Sequence, residues 1–314
     1  MSSLCTHIAV IGSTNIDFVM HVTRFAQPGE TMHVRSSSTG LGGKGANQAM
    51  AVARLGQAVA LAGWTGQDML ADMARTTLEA AGVNTRWLLE DTTCGTGRAF
   101  ITINAAGQNQ ILVDGGANMA HADASLAHIL PALDGAGLVM MQMEMDPTLM
   151  LAIARHARAH AIPVMLDPAP VPADGLPEAL CALADLITPN ERETAALTGI
   201  EPTDETTALA AARILHARGV GTAIIKLGHR GVVYSAPDAQ GFVPPFRVHA
   251  IDTVAAGDCF NAGLATALVT GHPLGQAVRI AAACGALATT RAGAAQAAPT
   301  MDEVMTLMAT QSAP

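Results

Sequence analysis

The sequence predicts an α/β fold: a mostly parallel central sheet flanked by helices, with a small β-sheet as a lid. Three observations predict it. Short apolar runs alternate with amphipathic segments along most of the chain, the pattern of a parallel sheet covered on both faces. One stretch, 97–114, interrupts that alternation with a hairpin pattern. Half of the 314 residues are hydrophobic but only 3% are aromatic. A large core is therefore available, and it must be filled by Ala, Gly and Met.

Residues 7–12 (HIAVIG) are a short apolar run ending in glycine and read as a buried strand. Residues 15–22 (NIDFVMHV) read as a second strand, and Gln27-Pro28-Gly29-Glu30 as a turn. A helix packed through Ala and Met is expected over 45–55. Strands are expected at 59–62, 138–141, 162–166 and 222–226, and amphipathic helices at 68–81 and 147–160. Residues 97–104 and 108–114 flank Ala105-Ala106-Gly107 as a hairpin, and with 17–20 and 31–35 they make the expected lid. From Asp252 onward a loop leads into two Ala/Gly-rich helices. No long linker, low-complexity tract or repeat divides the chain. One α/β domain spanning 1–314 is expected, with its lid built from segments near 15–35 and 97–114.

The formal net charge of -9 argues against nucleic acid as the main partner. It leaves nucleotides open, because a phosphate site is local and can be built from backbone amides. Cys5, Cys94, Cys181, Cys259 and Cys284 are odd in number, scattered and without a CxxC pair, so reduced thiols in a cytoplasmic protein are expected. The short segment before Ile8 and the acid at Asp17 speak against a signal peptide. No apolar run reaches the roughly 20 residues that a bilayer crossing needs, so no membrane partner is expected.

The strongest local signal is residues 252–261 (DTVAAGDCFN), where small residues and a glycine lead directly into a helix. Amides converging at such a start carry the positive end of the helix dipole and can hold an anion. Asp258 in that place either caps the helix or serves as a base beside the amides. Residues 40–49 (GLGGKGANQA) satisfy G-x-G-x-x-G formally, but Ser36-Ser37-Ser38-Thr39 stands where the first strand of a βαβ unit should be. No Ser or Thr follows Lys44, so it is not a P-loop either. What remains is bare backbone flanked by Lys44, Asn47 and Gln48, which suits close approach by a polyhydroxylated ligand, or a tight turn alone. In residues 187–193 (ITPNERE) a strand ends and a helix begins; Asn190 and Glu193 are either a capping box or groups facing a Mg-nucleotide. Residues 226–231 (KLGHRG) are a turn between strands or a loop against a nucleotide. His156 and His160 have metal-capable spacing but no third ligand, and read as a surface face. Met140, Met141, Met143 and Met145 read as core.

In this order the motifs resemble the ribokinase branch of the PfkB carbohydrate kinase family, from Ile8 to about Gly293. The matching pieces are GSTNID (12–17), PGET (28–31), GGKGANQA (42–49), TGQD (65–68), GGAN (115–118), MQME (141–144), DPAP (167–170), TPNE (188–191), LGHRG (227–231) and DTVAAGD (252–258). The resemblance implies that Asn15 and Asp17 hold sugar hydroxyls. It assigns Gly43, Lys44, Gly45, Ala46 and Asn47 to the sugar-binding loop and Glu144 to a further sugar contact. One carboxylate at Asp17 can accept two hydroxyls, which suits a vicinal diol. It likewise links Asn190 and Glu193 to Mg-nucleotide and Lys226, Leu227, Gly228, His229, Arg230 and Gly231 to ATP. Ala255, Ala256 and Gly257 look like an anion hole and Asp258 like the base. Asp252, Val254, Ala288, Arg291 and Gly293 match a monovalent-cation site, expected to take K+. The expected cofactors are ATP, Mg2+ and K+, and the expected assembly is a homodimer through the lid.

The implied reaction is transfer of the ATP γ-phosphate to the 5-hydroxyl of D-ribose. Another pentose such as deoxyribose, or a nucleoside, is the alternative within enzymes; a sugar-binding regulator without catalysis is the alternative from another class. Four features depart from the pattern. Cys259 stands where a small hydroxyl residue is common, and Ala282 where relatives often place a polar residue near the adenine. Arg98 stands where an apolar residue is usual, on a lid strand close to the sugar. Residues 293–298 (GAAQAA) lack the serine that often completes the cation site.

Overall fold

Along the first strand, β1 (His7–Ile11), Ile8 and Val10 enter one hydrophobic cluster while Ala9 and Ile11 enter another. Successive side chains of a strand point to opposite faces, so this sheet buries both faces and needs helices on each. The structure, a computed structural model, describes residues 7–120 and 126–311. The further strands are β2 (Asn15–His21), β3 (Ser36–Gly42), β4 (Val59–Gly66), β5 (Asn84–Asp91), β6 (Gly97–Ile103), β7 (Asn109–Asp114), β8 (Ala136–Gln142), β9 (Val164–Asp167), β10 (Leu186–Ile187), β11 (Thr222–Lys226), β12 (Val232–Ser235) and β13 (Gln240–Val243). Nine of them form the main sheet in the order β13-β12-β11-β10-β9-β8-β1-β4-β5. Neighbours from β11 through β5 run parallel; the β11–β12 and β12–β13 pairs are antiparallel.

The helices are α1 (Lys44–Arg54), α2 (Met69–Ala80), α3 (Leu126–Ile129), α4 (Pro147–Ala159), α5 (Glu178–Cys181), α6 (Glu191–Thr198), α7 (Glu205–Ala217), α8 (Ala256–Val269), α9 (Leu274–Ala288) and α10 (Met301–Thr310). Buried residues of α1, α2, α8, α9 and α10 pack on one face of the main sheet. Those of α3 to α7 pack on the other. Met140 and Met141 go to opposite faces, and Met143 and Met145 are buried, so the methionine cluster is core as expected. Among the described residues no helix is long and apolar enough to cross a membrane. Cys94, Cys181, Cys259 and Cys284 are free thiols, while Cys5 lies outside the described residues.

The small sheet has the order β3-β2-β6-β7. Its hairpin β6–β7 falls where the sequence put it, and Gly107 takes the positive φ of its turn. Its third segment does not. Residues 31–35 are a connection, and the strand is β3, paired antiparallel with β2 from Asn15↔Gly42 to His21↔Ser36. Residues 36–39 are exposed on the sheet edge, where polar side chains are normal, so a search for apolar runs passes over them. A strand therefore does precede the glycine-rich segment, but it is an antiparallel edge strand of the small sheet. The exclusion of a dinucleotide-type βαβ unit stands on that topology. After Asp252 a third helix, α10, follows the two that the sequence predicts.

Candidate active site

The carboxyl ends of β1, β8, β9 and β11 lie on one edge of the main sheet, where open α/β folds take their ligands. Glu144 follows β8, Asp167 ends β9, Asn190 follows β10 and Lys226 ends β11. The α1 start comes to the same place because the backbone around Gly43 is bare. Gly43 has φ +86, and a Cβ there would sit 2.7 Å from Asn15 N and 2.8 Å from the Ser13 carbonyl. A Cβ on Gly42 would collide with the Asp17 carboxylate at 2.1 Å. The glycines thus let β2 and the α1 start close on each other, with Asp17 facing the gap.

Asp258 is 4% exposed at the third position of α8. It is not the cap: Ala255 is, in the left-handed conformation at φ 56, and no side chain caps the helix. Gln48 Nε2 donates to Asp258 Oδ1 at 3.0 Å and Asn47 Nδ2 to Oδ2 at 3.2 Å. Lys44 Nζ lies 3.9 Å from Asp258 Oδ1 and 3.8 Å from Asp167 Oδ2; Lys226 Nζ lies 3.7 Å from Asp167 Oδ1. Burial raises the Asp258 pKa and Lys44 pulls it back. Burial by itself would lower the Lys44 pKa, but Asp258, Asp167, Glu144 and Glu193 outweigh it and keep the ammonium charged. Glu144 accepts from the Ser13 hydroxyl and from Lys44 N. Asp17 is pushed up to about 6 by burial, then by the charges of Glu144 and Asp258.

Asn15 is buried and its Oδ1 accepts from Asn118 Nδ2 at 2.8 Å, while Asn118 Oδ1 accepts from Thr14 N at 2.9 Å. Gly45 and Ala46 are buried in the first turn of α1. Asn190 and Glu193 form a complete capping box: Glu193 N donates to Asn190 Oδ1 at 2.9 Å, and Asn190 N to Glu193 Oε2 at 2.8 Å. Burial and the neighbouring Asp167 raise the Glu193 pKa. Leu227 and Gly231 close a turn holding Gly228, His229 and Arg230, and Arg230 pairs with Glu191 at 3.2 Å. A Cβ on Gly257 would have the Lys226 ammonium 3.6 Å away, so the α8 start and the end of β11 face one space.

Asp252 braces its loop: Oδ1 accepts from Val254 N and Oδ2 from Gly293 N, both at 3.0 Å. Ala288 is buried at the end of α9, and the Arg291 side chain turns to Glu303. Arg98 does not share the face of the small sheet that carries Asp17. It pairs in register with Ile16, one residue out of phase with Asp17, and binds Asp114 at 2.8 Å. Strand alternation puts it on the other face of the small sheet. Ser13, Asn118, Gln142 and Asp167 carry no role in the sequence reading, and Gln48 enters it only as a polar flank of the glycine-rich segment. Gln48 and Asp167 sit inside two of the matched motifs, but their bond joins residues 119 apart and has no local signature.

A buried carboxylate with raised basicity lies beside a helix start that no side chain caps, with further acids and two lysines around it. That set can accept a proton from a hydroxyl next to amides that stabilise an anion. Residues 5–301 match the pfkB family carbohydrate kinases. The chain belongs to that family, and it is an ATP-dependent sugar kinase. It is 36% identical over 298 residues to a ribokinase of Haemophilus influenzae, covering 95% of this chain and 97% of that one. It is 39% identical over 304 residues to a bifunctional ribokinase/ribose-5-phosphate isomerase A of Fructilactobacillus sanfranciscensis, covering 96% of this chain but 56% of that protein. The ribokinase of Arabidopsis thaliana complexed with ribose and ATP superposes with a TM-score of 0.89 at 29% identity, over 97% and 99% of the two chains.

Proposed function

We propose that this kinase transfers the γ-phosphate of ATP to O5 of D-ribose, with Asp258 as the base. The carrying observation is the Asp258 carboxylate, buried and held by two amide donors at the start of a helix that no side chain caps. A hydroxyl brought to that carboxylate gives up its proton as the oxygen attacks phosphorus. The amides of Ala255, Ala256 and Gly257 are the donors for charge on the transferring group. Asn15, Asp17, Lys44, Asn47 and Glu144 bind the sugar; Gly43, Gly45 and Ala46 leave it room. Asp17 accepts from a vicinal diol, so ribose is favoured over 2-deoxyribose.

ATP supplies the phosphoryl group, and residues 226–231 with Gly257 bind it. Among the described residues no cluster of three His, Cys, Asp or Glu side chains is arranged to hold a metal ion. Magnesium typically binds through few carboxylates plus substrate phosphates, so Asn190 and Glu193 would meet Mg2+ on the nucleotide. K+ would be held by Asp252, Val254, Ala288, Arg291 and Gly293, mostly through backbone carbonyls. Asp252 already ties residues 252–254 to Gly293, and a cation there would stiffen the loop that leads into the α8 amides. Titrating KCl against a bulky organic cation at matched ionic strength should activate the enzyme; a flat response leaves Asp252 as a brace alone.

The small sheet would act as the lid and as the contact with a second copy. Its edge strand β7 is exposed throughout and carries Ile111, Leu112 and Val113 in succession, with Phe100 exposed on β6. Such an apolar edge needs cover. The test of the reaction is ADP formation with a panel of sugars, with the product identified by NMR. Ribose 5-phosphate should form, and ribose should clearly outpace 2-deoxyribose; equal rates would remove the diol argument, and no sugar dependence would remove the reaction.

A further inference from the structure

One side chain joins the proposed base to a second buried acid. Gln48 on α1 is 1% exposed. The two hydrogens of its Nε2 go to Asp258 Oδ1 at 3.0 Å and Asp167 Oδ2 at 3.1 Å. Its Oε1 accepts from Gln142 Nε2 at 2.7 Å. That third bond fixes the direction of the amide. Turned end for end, Gln48 would offer oxygen to two carboxylates and nitrogen to nitrogen. Lys44, at 3.8 and 3.9 Å, stands beyond hydrogen-bond distance of both acids. The geometry of Asp258 is therefore set by neutral amides, Gln48 on one oxygen and Asn47 on the other. A neutral donor orients a carboxylate without cancelling the charge that makes it a base.

We propose that Gln48 is a positioning residue for phosphoryl transfer: its two donors fix the Asp258 carboxylate and tie it to Asp167, while Gln142 holds the Gln48 amide in the productive direction. The inference rests on the reading of Asp258 as the base. The charged or titratable groups around Asp258 are Lys44 from α1, Asp167 at the end of β9, Glu144 after β8, Asp17 from β2 and Cys259 on its own helix. Lys226 stands next, against Asp167. Burial, Asp167 and Glu144 raise the Asp258 pKa; Lys44 and the Gln48 hydrogen bond lower it. Loss of the Gln48 donor therefore raises it further, and the acid limb of turnover moves to higher pH.

Gln48→Met keeps the volume and removes both donors. We expect kcat at its optimum to fall roughly 10- to 100-fold. The acid limb of the kcat profile should rise by about one pH unit, and both KM values should change much less than kcat. In an Asp258→Asn background Gln48→Met should add little further loss, because the two act as one unit. Gln142→Leu leaves both Gln48 donors in place but releases the amide, so it should move the same limb by less; it carries the test if Gln48→Met does not fold. An unmoved acid limb, with losses that multiply in the double variant, overturns the inference and makes Gln48 a packing residue. Near wild-type turnover in Asp258→Asn alone is a different failure, that of the base itself.

Discussion

Helices α6 and α8 begin on the same edge of the main sheet and begin in opposite ways. At α6 the side chains of Asn190 and Glu193 accept from each other's amides and bond to each other. At α8 the chain enters through Ala255 at φ 56, with no side chain on the amides and an acid three residues in. One start is closed by its own residues; the other is left open at the cost of an alanine in the left-handed region, about 1 kcal/mol. The difference teaches where an anion is accommodated. On the proposed reading, the α8 amides that no side chain holds would meet the transferring phosphoryl group, while the acids of α6 would suit a phosphate that carries a metal ion.

The largest test of that contrast is Asp258→Asn. Turnover should fall about 100- to 10,000-fold while the fold and nucleotide binding persist. A mere helix cap would tolerate the change in kcat, so near wild-type turnover returns Asp258 to structure. Next is Glu193→Gln. Glutamine can still serve in a capping box, so the melting temperature should hardly move. The Mg2+ concentration needed at fixed ATP should rise roughly 10- to 100-fold. A lowered melting temperature with unchanged Mg2+ dependence would make the box structural only.

Asp17 sharpens the contrast from the small sheet. With its pKa near 6, about a tenth of it is ionised at pH 5, so the sugar KM should rise roughly 10-fold between pH 7 and pH 5. The ATP KM should not follow, and Asp17→Asn should abolish the pH dependence. The folded-state pKa is raised above the unfolded value, so the contribution of Asp17 to stability is present at low pH and lost as pH rises through about 6. Asp17→Asn should therefore stabilise the ligand-free protein above pH 6, by up to about 3 kcal/mol. Unchanged urea denaturation at pH 8 would contradict the buried, repelled carboxylate. The smallest effects have opposite signs at the two helix starts. Ala255→Gly should stabilise and Asn190→Ala should destabilise, each by about 1 kcal/mol; equal signs would mean the starts are not different in kind.

What was legible in the sequence was local. β1 and β11 announce themselves as apolar runs, and the Asn190–Glu193 box as a spacing of three. The strand β3 was not legible, because its serines face solvent on an edge and no periodic apolar signal marks them. The choice between cap and base at Asp258 was open too, because it turns on the φ of Ala255 and on donors from α1 some 210 residues away. Arg98 looked close to the sugar by position alone; the pairing of Asp17 with Ala99 decides its face. The links through Gln48 and Asp167 needed the folded chain.

A crystal structure with ribose and a non-hydrolysable ATP analogue tests the central claim most directly. The account predicts the terminal phosphate within hydrogen-bond distance of the amides at the start of α8, and the ribose 5-hydroxyl within reach of the Asp258 carboxylate. Phosphates seated on the α6 amides with the Asn190–Glu193 box broken, or a sugar whose 5-hydroxyl points away from Asp258, would contradict it.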